Sequence, residues 1–209
     1  MRIISHRCYW TNPKEQNSIS AFKHALDNGF GVEIDIRDFD QRIVVSHDLP
    51  THESPLFDTY LDLYKEQAST VLLALNIKSD GLQEKLLPLI QAYDINNYVV
   101  FDMSVPDLLH YKIKGIPYLI RQSEYEQDLS LITESAGVWL DEFHEEWITR
   151  DYVEKIVELG KTCYVVSAEL HQKEYMKSWE KWRYIFEDVS WCLCTDFPLE
   201  ARKFFFEKG

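Results

Sequence analysis

Two carboxylates and two imidazoles are the residues of this chain best suited to chemistry. In "GVEIDIR", Glu33 and Asp35 alternate with Val32, Ile34 and Ile36, the period-2 pattern of a strand. The two carboxylates therefore point the same way, and like charges so close raise each other's pKa. A strand with no task for them would seldom carry both on one face. After a turn, "DFDQR", the extended piece "IVVSHD" returns, and a hairpin of this size brings His47 back towards Asp35. His6 closes the first apolar run, "RIIS", expected to be the adjacent strand. Carboxylate oxygens are hard donors for Mg2+ or Ca2+, and histidines exchange protons near neutral pH.

The elements that must position these groups alternate along the chain. Strands are expected at "RIIS", "GVEIDIR", "TVLLALNIK", "NYVVFDMS", "IPYLIRQS", "GVWLDEF", "TCYVVSAEL" and "WCLCTDFP". Segments of mostly helical pattern follow them, among them "SISAFKHALDNGF", capped by Ser18 or Ser20 and stopped at Asn28-Gly29, and "LEARKFFFEK" at the end. The piece "SLITESA" fits neither pattern well. Eight strand–helix units imply a parallel sheet and suit a compact (β/α)8 barrel over residues 1–209 as one domain. An open doubly wound sheet would advertise a Gly-rich turn after the first strand, and "ISHRCYW" has no glycine. In a barrel, catalytic groups gather where strands end. Here those ends carry His6-Arg7, Glu33-Asp35, Asn76-Lys78, Asp102-Ser104, Arg121, Asp141, Ser167-Glu169 and Thr195-Asp196.

Composition narrows the function classes. A net charge of -13 argues against nucleic-acid binding, because phosphate backbones need basic surface. It leaves room for a small phosphate-containing substrate at a local positive or metal-bearing site. No targeting segment and no run long enough to span a bilayer is visible. Cys8, Cys163, Cys192 and Cys194 include no C-x-x-C, and read as reduced packing cysteines of a cytoplasmic protein. Trp179 and Trp182, at helical spacing, read as packing against the sheet.

Taken in order, the motifs resemble those of the glycerophosphodiester phosphodiesterases, related to the phosphatidylinositol-specific phospholipase C barrels. The matches are His6-Arg7 after strand one, "QNSISAF", Glu33-x-Asp35, His47-Asp48, "LLALNIK", and Thr195-Asp196-Phe197-Pro198. The resemblance implies a (β/α)8 barrel and a metal-dependent phosphodiesterase acting on a glycerophosphodiester or a related polyol or sugar phosphodiester. By position it implies Glu33 and Asp35 as ligands of Mg2+ or Ca2+, His6 and His47 as general acid and base, and Arg7 and Lys78 as phosphate contacts. The sequence also departs from the pattern. Cys8 stands where the family has Gly, Gln16 (with Glu15 adjacent) stands at a Glu position, and Asn76 stands at the third metal ligand, usually Glu. Glu169, at the rim after strand seven, is the candidate to supply the charge that Asn76 lacks and is grouped with the substrate-binding residues. These departures motivate an alternative, a non-catalytic protein that binds a phosphorylated metabolite on the same barrel.

Overall fold

A computed structural model describes residues 1–127 and 130–207. Lys208, the last residue of the helix expected at "LEARKFFFEK", lies outside them. The expected strands form as β1 (Arg2–Ser5), β2 (Gly31–Phe39), the return strand β3 (Arg42–Val45), β4 (Leu73–Ile77), β5 (Tyr98–Phe101), β6 (Leu119–Gln122), β7 (Gly137–Leu140), β8 (Thr162–Val166) and β9 (Trp191–Thr195). The helices are α1 (Ile19–Asp27), α2 (Phe57–Glu66), α3 (Gln83–Ala92), α4 (Val105–Ile113), α5 (Arg150–Glu158), α6 (Met176–Ile185) and α7 (Pro198–Phe206). None is long and apolar enough to cross a membrane among the described residues.

The chain divides into two compact units, one of residues 5–118 and one of residues 1–4 with 119 onward. In the first, β5, β4 and β2 lie side by side in parallel, with β3 antiparallel on β2. In the second, β9, β8, β7 and β6 run parallel in that order. Parallel strands flanked by helices are covered on both faces. That explains why Val32, Ile34 and Ile36 and the alternating Glu33 and Asp35 are all at most 1% exposed. The carboxylates do not sit on a solvated face.

Local chemistry fixes the element ends. Ser18, not Ser20, caps α1 by accepting from the Ala21 N–H, and Gly29 leaves the helix at φ +68°. Asp40 and Gln41 both take positive φ, +46° and +61°, as a two-residue hairpin turn between β2 and β3 requires. Trp179 and Trp182 are fully buried, as packing residues should be.

One open segment is resolved and one reading needed correction. "SLITESA" yields a short 3-10 turn, Ile132–Glu134. The strand expected through "TCYVVSAEL" stops at Val166, and Ala168–His171 forms a 3-10 turn. The Ser167 hydroxyl accepts from the Trp179 indole N–H at 2.8 Å and donates to Glu169, which draws the chain out of the strand.

Candidate active site

The register of β2 on β4 sets the centre of the site. Asp35 is the direct partner of Asn76, and Glu33 of Ala74. Asn76 Nδ2 donates to Glu33 Oε1 at 3.0 Å. From the loop after β1, the Arg7 backbone N–H donates to Glu33 Oε2 at 2.8 Å, and the Cys8 N–H to the Glu33 carbonyl at 3.1 Å. Aiming both amides at Glu33 requires the left-handed region, with Arg7 at φ +49° and Cys8 at φ +72°. The backbone thus takes a glycine-like conformation at Cys8. Burial first, and the Asp35 charge second, push the Glu33 carboxyl up from its usual range. The nearby His6 charge opposes that shift, as do the hydrogen bonds from Arg7 and Asn76.

Asp35 has two unlike oxygens. Oδ2 accepts from Asn17 Nδ2 at 2.7 Å and lies 3.3 Å from Arg7 Nε. Oδ1 lies 3.4 Å from Lys78 Nζ but is buried with no hydrogen-bond donor. Lys78 Nζ also lies 3.5 Å from Asp102 Oδ2, and Asp102 takes φ +71°. Asn76 Oδ1 is likewise buried with no donor. Buried acceptors without a donor are rare in folded chains and call for an explanation.

His47 arrives as the hairpin requires. Val45 pairs with Ile36, and the Ser46 N–H donates to the Asp35 carbonyl at 3.1 Å. Arg37 holds the next residue, donating to the His47 carbonyl from Nε and Nη2 at 3.2 and 3.0 Å. The His47 ring is 42% exposed, with Nδ1 2.8 Å from Asp48 Oδ1. His47 and Arg7 both line a cleft of about 620 Å³ whose other walls include Gln16, Asn17, Ser46 and Tyr60. At Arg7 the contact is Gln16, whose Oε1 accepts from Nη1 at 3.2 Å. Glu15 does not take that place: its carboxylate accepts from the Thr11 and Asn12 N–H groups in a capping box.

His6, Arg7, Glu33, Asp35, His47, Asn76 and Lys78 all belong to one unit, within which direct contacts join Arg7, Glu33, Asp35, Asn76 and Lys78, while the His47 ring contacts Asp48. Glu169 belongs to the other unit. Its carboxylate accepts from the Ser167 and Thr195 hydroxyls and, at 3.0 Å, from the Asp196 N–H. Asn17, Arg37 and Tyr60 are contributors that sequence reasoning missed. Of these, Arg37 had a signal in continuing the alternation of Glu33 and Asp35, and Asn17 in lying within the matched "QNSISAF".

Among the described residues, no group of three or more His, Cys, Asp or Glu is arranged to hold a metal ion. The donors present still fit a hard cation, provided an amide is counted. Asp35 Oδ1 and Asn76 Oδ1 are buried oxygens without a donor, on partnered positions of β2 and β4, and Glu33 accepts from the Asn76 amide nitrogen. All four cysteines are free and buried, and burial pushes the Cys163 and Cys192 thiols up to about 12, far from a reactive thiolate.

No protein-family model matches the chain, and no curated protein matches its sequence. Solved structures do match. A Galdieria sulphuraria protein, provisionally named a glycerophosphodiester phosphodiesterase, superposes with TM-score 0.81 at 17% identity, over 98% of this chain and 97% of that one. An Oleispira antarctica phosphodiesterase, in complex with its product sn-glycerol-3-phosphate, gives 0.71 at 14% identity, over 98% and 96%. A glycerophosphodiester phosphodiesterase from Agrobacterium tumefaciens gives 0.67 at 15% identity, over 98% of each. The likeness spans nearly the whole chain and establishes the fold as the expected (β/α)8 barrel.

Proposed function

We propose that the chain is a divergent member of the glycerophosphodiester phosphodiesterase family, hydrolysing a small glycerol, polyol or sugar phosphodiester with Mg2+ or Ca2+. The observation that carries this is the buried pair Glu33 and Asp35, with orphaned oxygens on Asp35 and Asn76, in the same unit as Arg7, Lys78, His6 and His47. The named activity of the structural neighbours supports it.

Glu33, Asp35 and Asn76 would hold the cation, which when bound neutralises the phosphoryl oxygens and so lowers the barrier to attack. Arg7 and Lys78 add positive charge beside Asp35 that can turn to the substrate phosphate. One histidine takes the proton of the attacking hydroxyl or water as the new P–O bond forms. The other protonates the departing alkoxide as the old P–O bond breaks. With Nδ1 against Asp48, His47 exchanges protons through Nε2. Four free, buried cysteines suit a reducing, cytoplasmic compartment.

The test is turnover of bis-p-nitrophenyl phosphate and of glycerophosphodiesters with Mg2+, Ca2+ or Mn2+. His6→Ala and His47→Ala should each lose about 100- to 10,000-fold in kcat. Equal turnover in variants and wild type would remove the histidines from the mechanism. The second reading is ligand binding without turnover. It is favoured by the uncharged Asn76 at the third ligand position, and histidine-dependent hydrolysis would count against it.

A further inference from the structure

We propose that Asn17 is the positioning residue of this site, setting which oxygen of Asp35 is left open to a ligand; this rests on the functional reading above. Asn17 makes four hydrogen bonds to three segments. Its Nδ2 donates to Asp35 Oδ2 at 2.7 Å, and its Oδ1 accepts from the Asp35 N–H at 3.3 Å. Its own N–H donates to the Arg7 carbonyl at 2.8 Å, and its carbonyl accepts from the Tyr60 hydroxyl at 2.5 Å.

The side chain grips Asp35 twice, by backbone and by carboxylate, which fixes the rotation of that carboxylate. Oδ2 is satisfied by Asn17 and lies against Arg7, so Oδ1 is the oxygen left without a donor, beside Lys78. An amide of this length can both donate to Oδ2 and accept from the Asp35 N–H. Aspartate offers no N–H, and serine or threonine is too short to span both groups. The backbone has a second task. Asn17 at φ +59° directs its N–H to the carbonyl of Arg7, which is itself at φ +49°. Asparagine is among the few non-glycine residues that occupy this region readily. Tyr60 pins the far side: burial pushes its phenol up, which keeps the hydroxyl a donor, and its ring packs edge-on to Phe22 with centroids 5.2 Å apart.

Asn17→Gly is the informative variant. Glycine keeps the left-handed backbone and its bonds to Arg7 and Tyr60, and removes only the grip on Asp35. Its melting temperature should stay within a few degrees of wild type. Mn2+ affinity by calorimetry should fall about tenfold, and kcat on bis-p-nitrophenyl phosphate by about tenfold or more with KM nearly unchanged. Asn17→Asp, which sets a third carboxylate against Asp35, should lose at least as much of both. A crystal structure of Asn17→Gly gives a readout independent of metal and turnover, since the Asp35 carboxylate should rotate from its wild-type orientation. An unmoved Asp35 carboxylate would overturn the proposal, as would wild-type Mn2+ affinity and kcat in Asn17→Gly. If the wild type hydrolyses no diester tested, the functional reading fails, and the Asp35 orientation alone decides the role of Asn17.

Discussion

Two buried glutamates, one in each unit, have the same electrostatic problem and different surroundings. Glu33 and Glu169 are both pushed up from the usual carboxyl range, chiefly by burial. Glu169 is answered within its own unit: two hydroxyls and a backbone N–H surround it. Glu33 sits beside a second carboxylate, and the cluster around it keeps two buried oxygens, on Asp35 and Asn76, with no donor. A satisfied carboxylate organises its surroundings. An unsatisfied cluster carries a desolvation cost that a bound cation would offset. The contrast lies in the neighbours: two hydroxyls and an N–H around Glu169, a second carboxylate and two oxygens without a donor around Glu33.

The largest effect that can break this comparison is on turnover. Asp35→Asn and Glu33→Gln should each lower kcat/KM about 100-fold or more, while Glu169→Gln leaves it within a few-fold, as read by diester hydrolysis. Next comes stability. Glu169→Ala strands three donors and should destabilise the protein by about 2–4 kcal/mol in urea unfolding, without changing Mg2+ affinity. Asn76→Asp sharpens the other side. A third carboxylate in place of the amide should tighten Mg2+ binding about tenfold and lower the stability of the metal-free protein, by calorimetry and thermal melting.

The pH dependence of stability gives a smaller, directional test. Because both folded-state carboxyls lie above their unfolded values, their contribution is fully present below the unfolded range of about 4.3 and is lost as pH rises through the folded values. Saturating Mg2+ should flatten only the part due to Glu33. Glu169→Gln should remove the other part with or without Mg2+, as read by melting across pH. The smallest effect concerns Cys8. Glycine there relieves the φ of +72° but gives up a buried thiol, so Cys8→Gly should stay within about 1 kcal/mol of wild type. The same change at Cys192, in β9, has no backbone relief and should cost more.

Much of the site was legible because its residues lie on regular elements. The alternation in β2 placed Glu33 and Asp35 together, and the short hairpin returned His47. "LLALNIK" carried Asn76 and Lys78 onto the next strand. What escaped depended on loop backbone. Asn17 acts through a positive φ and contacts to three segments, none of which leaves a periodic trace. Glu15 appeared able to replace Gln16, but the run Asn12 to Glu15 is a capping box that uses up its carboxylate. Glu169 looked like a strand end because "TCYVVSAEL" is apolar almost throughout, and the bonds of Ser167 that end the strand early are long-range.

The most direct measurement of the central claim is hydrolysis of bis-p-nitrophenyl phosphate by chelator-stripped protein, before and after Mg2+ or Ca2+ is returned, in wild type and Asp35→Asn. The expected result is no turnover when stripped, recovery in wild type, and none in Asp35→Asn. Turnover that survives stripping, or that returns equally in Asp35→Asn, would contradict the assignment of Glu33, Asp35 and Asn76 as a metal-holding catalytic centre.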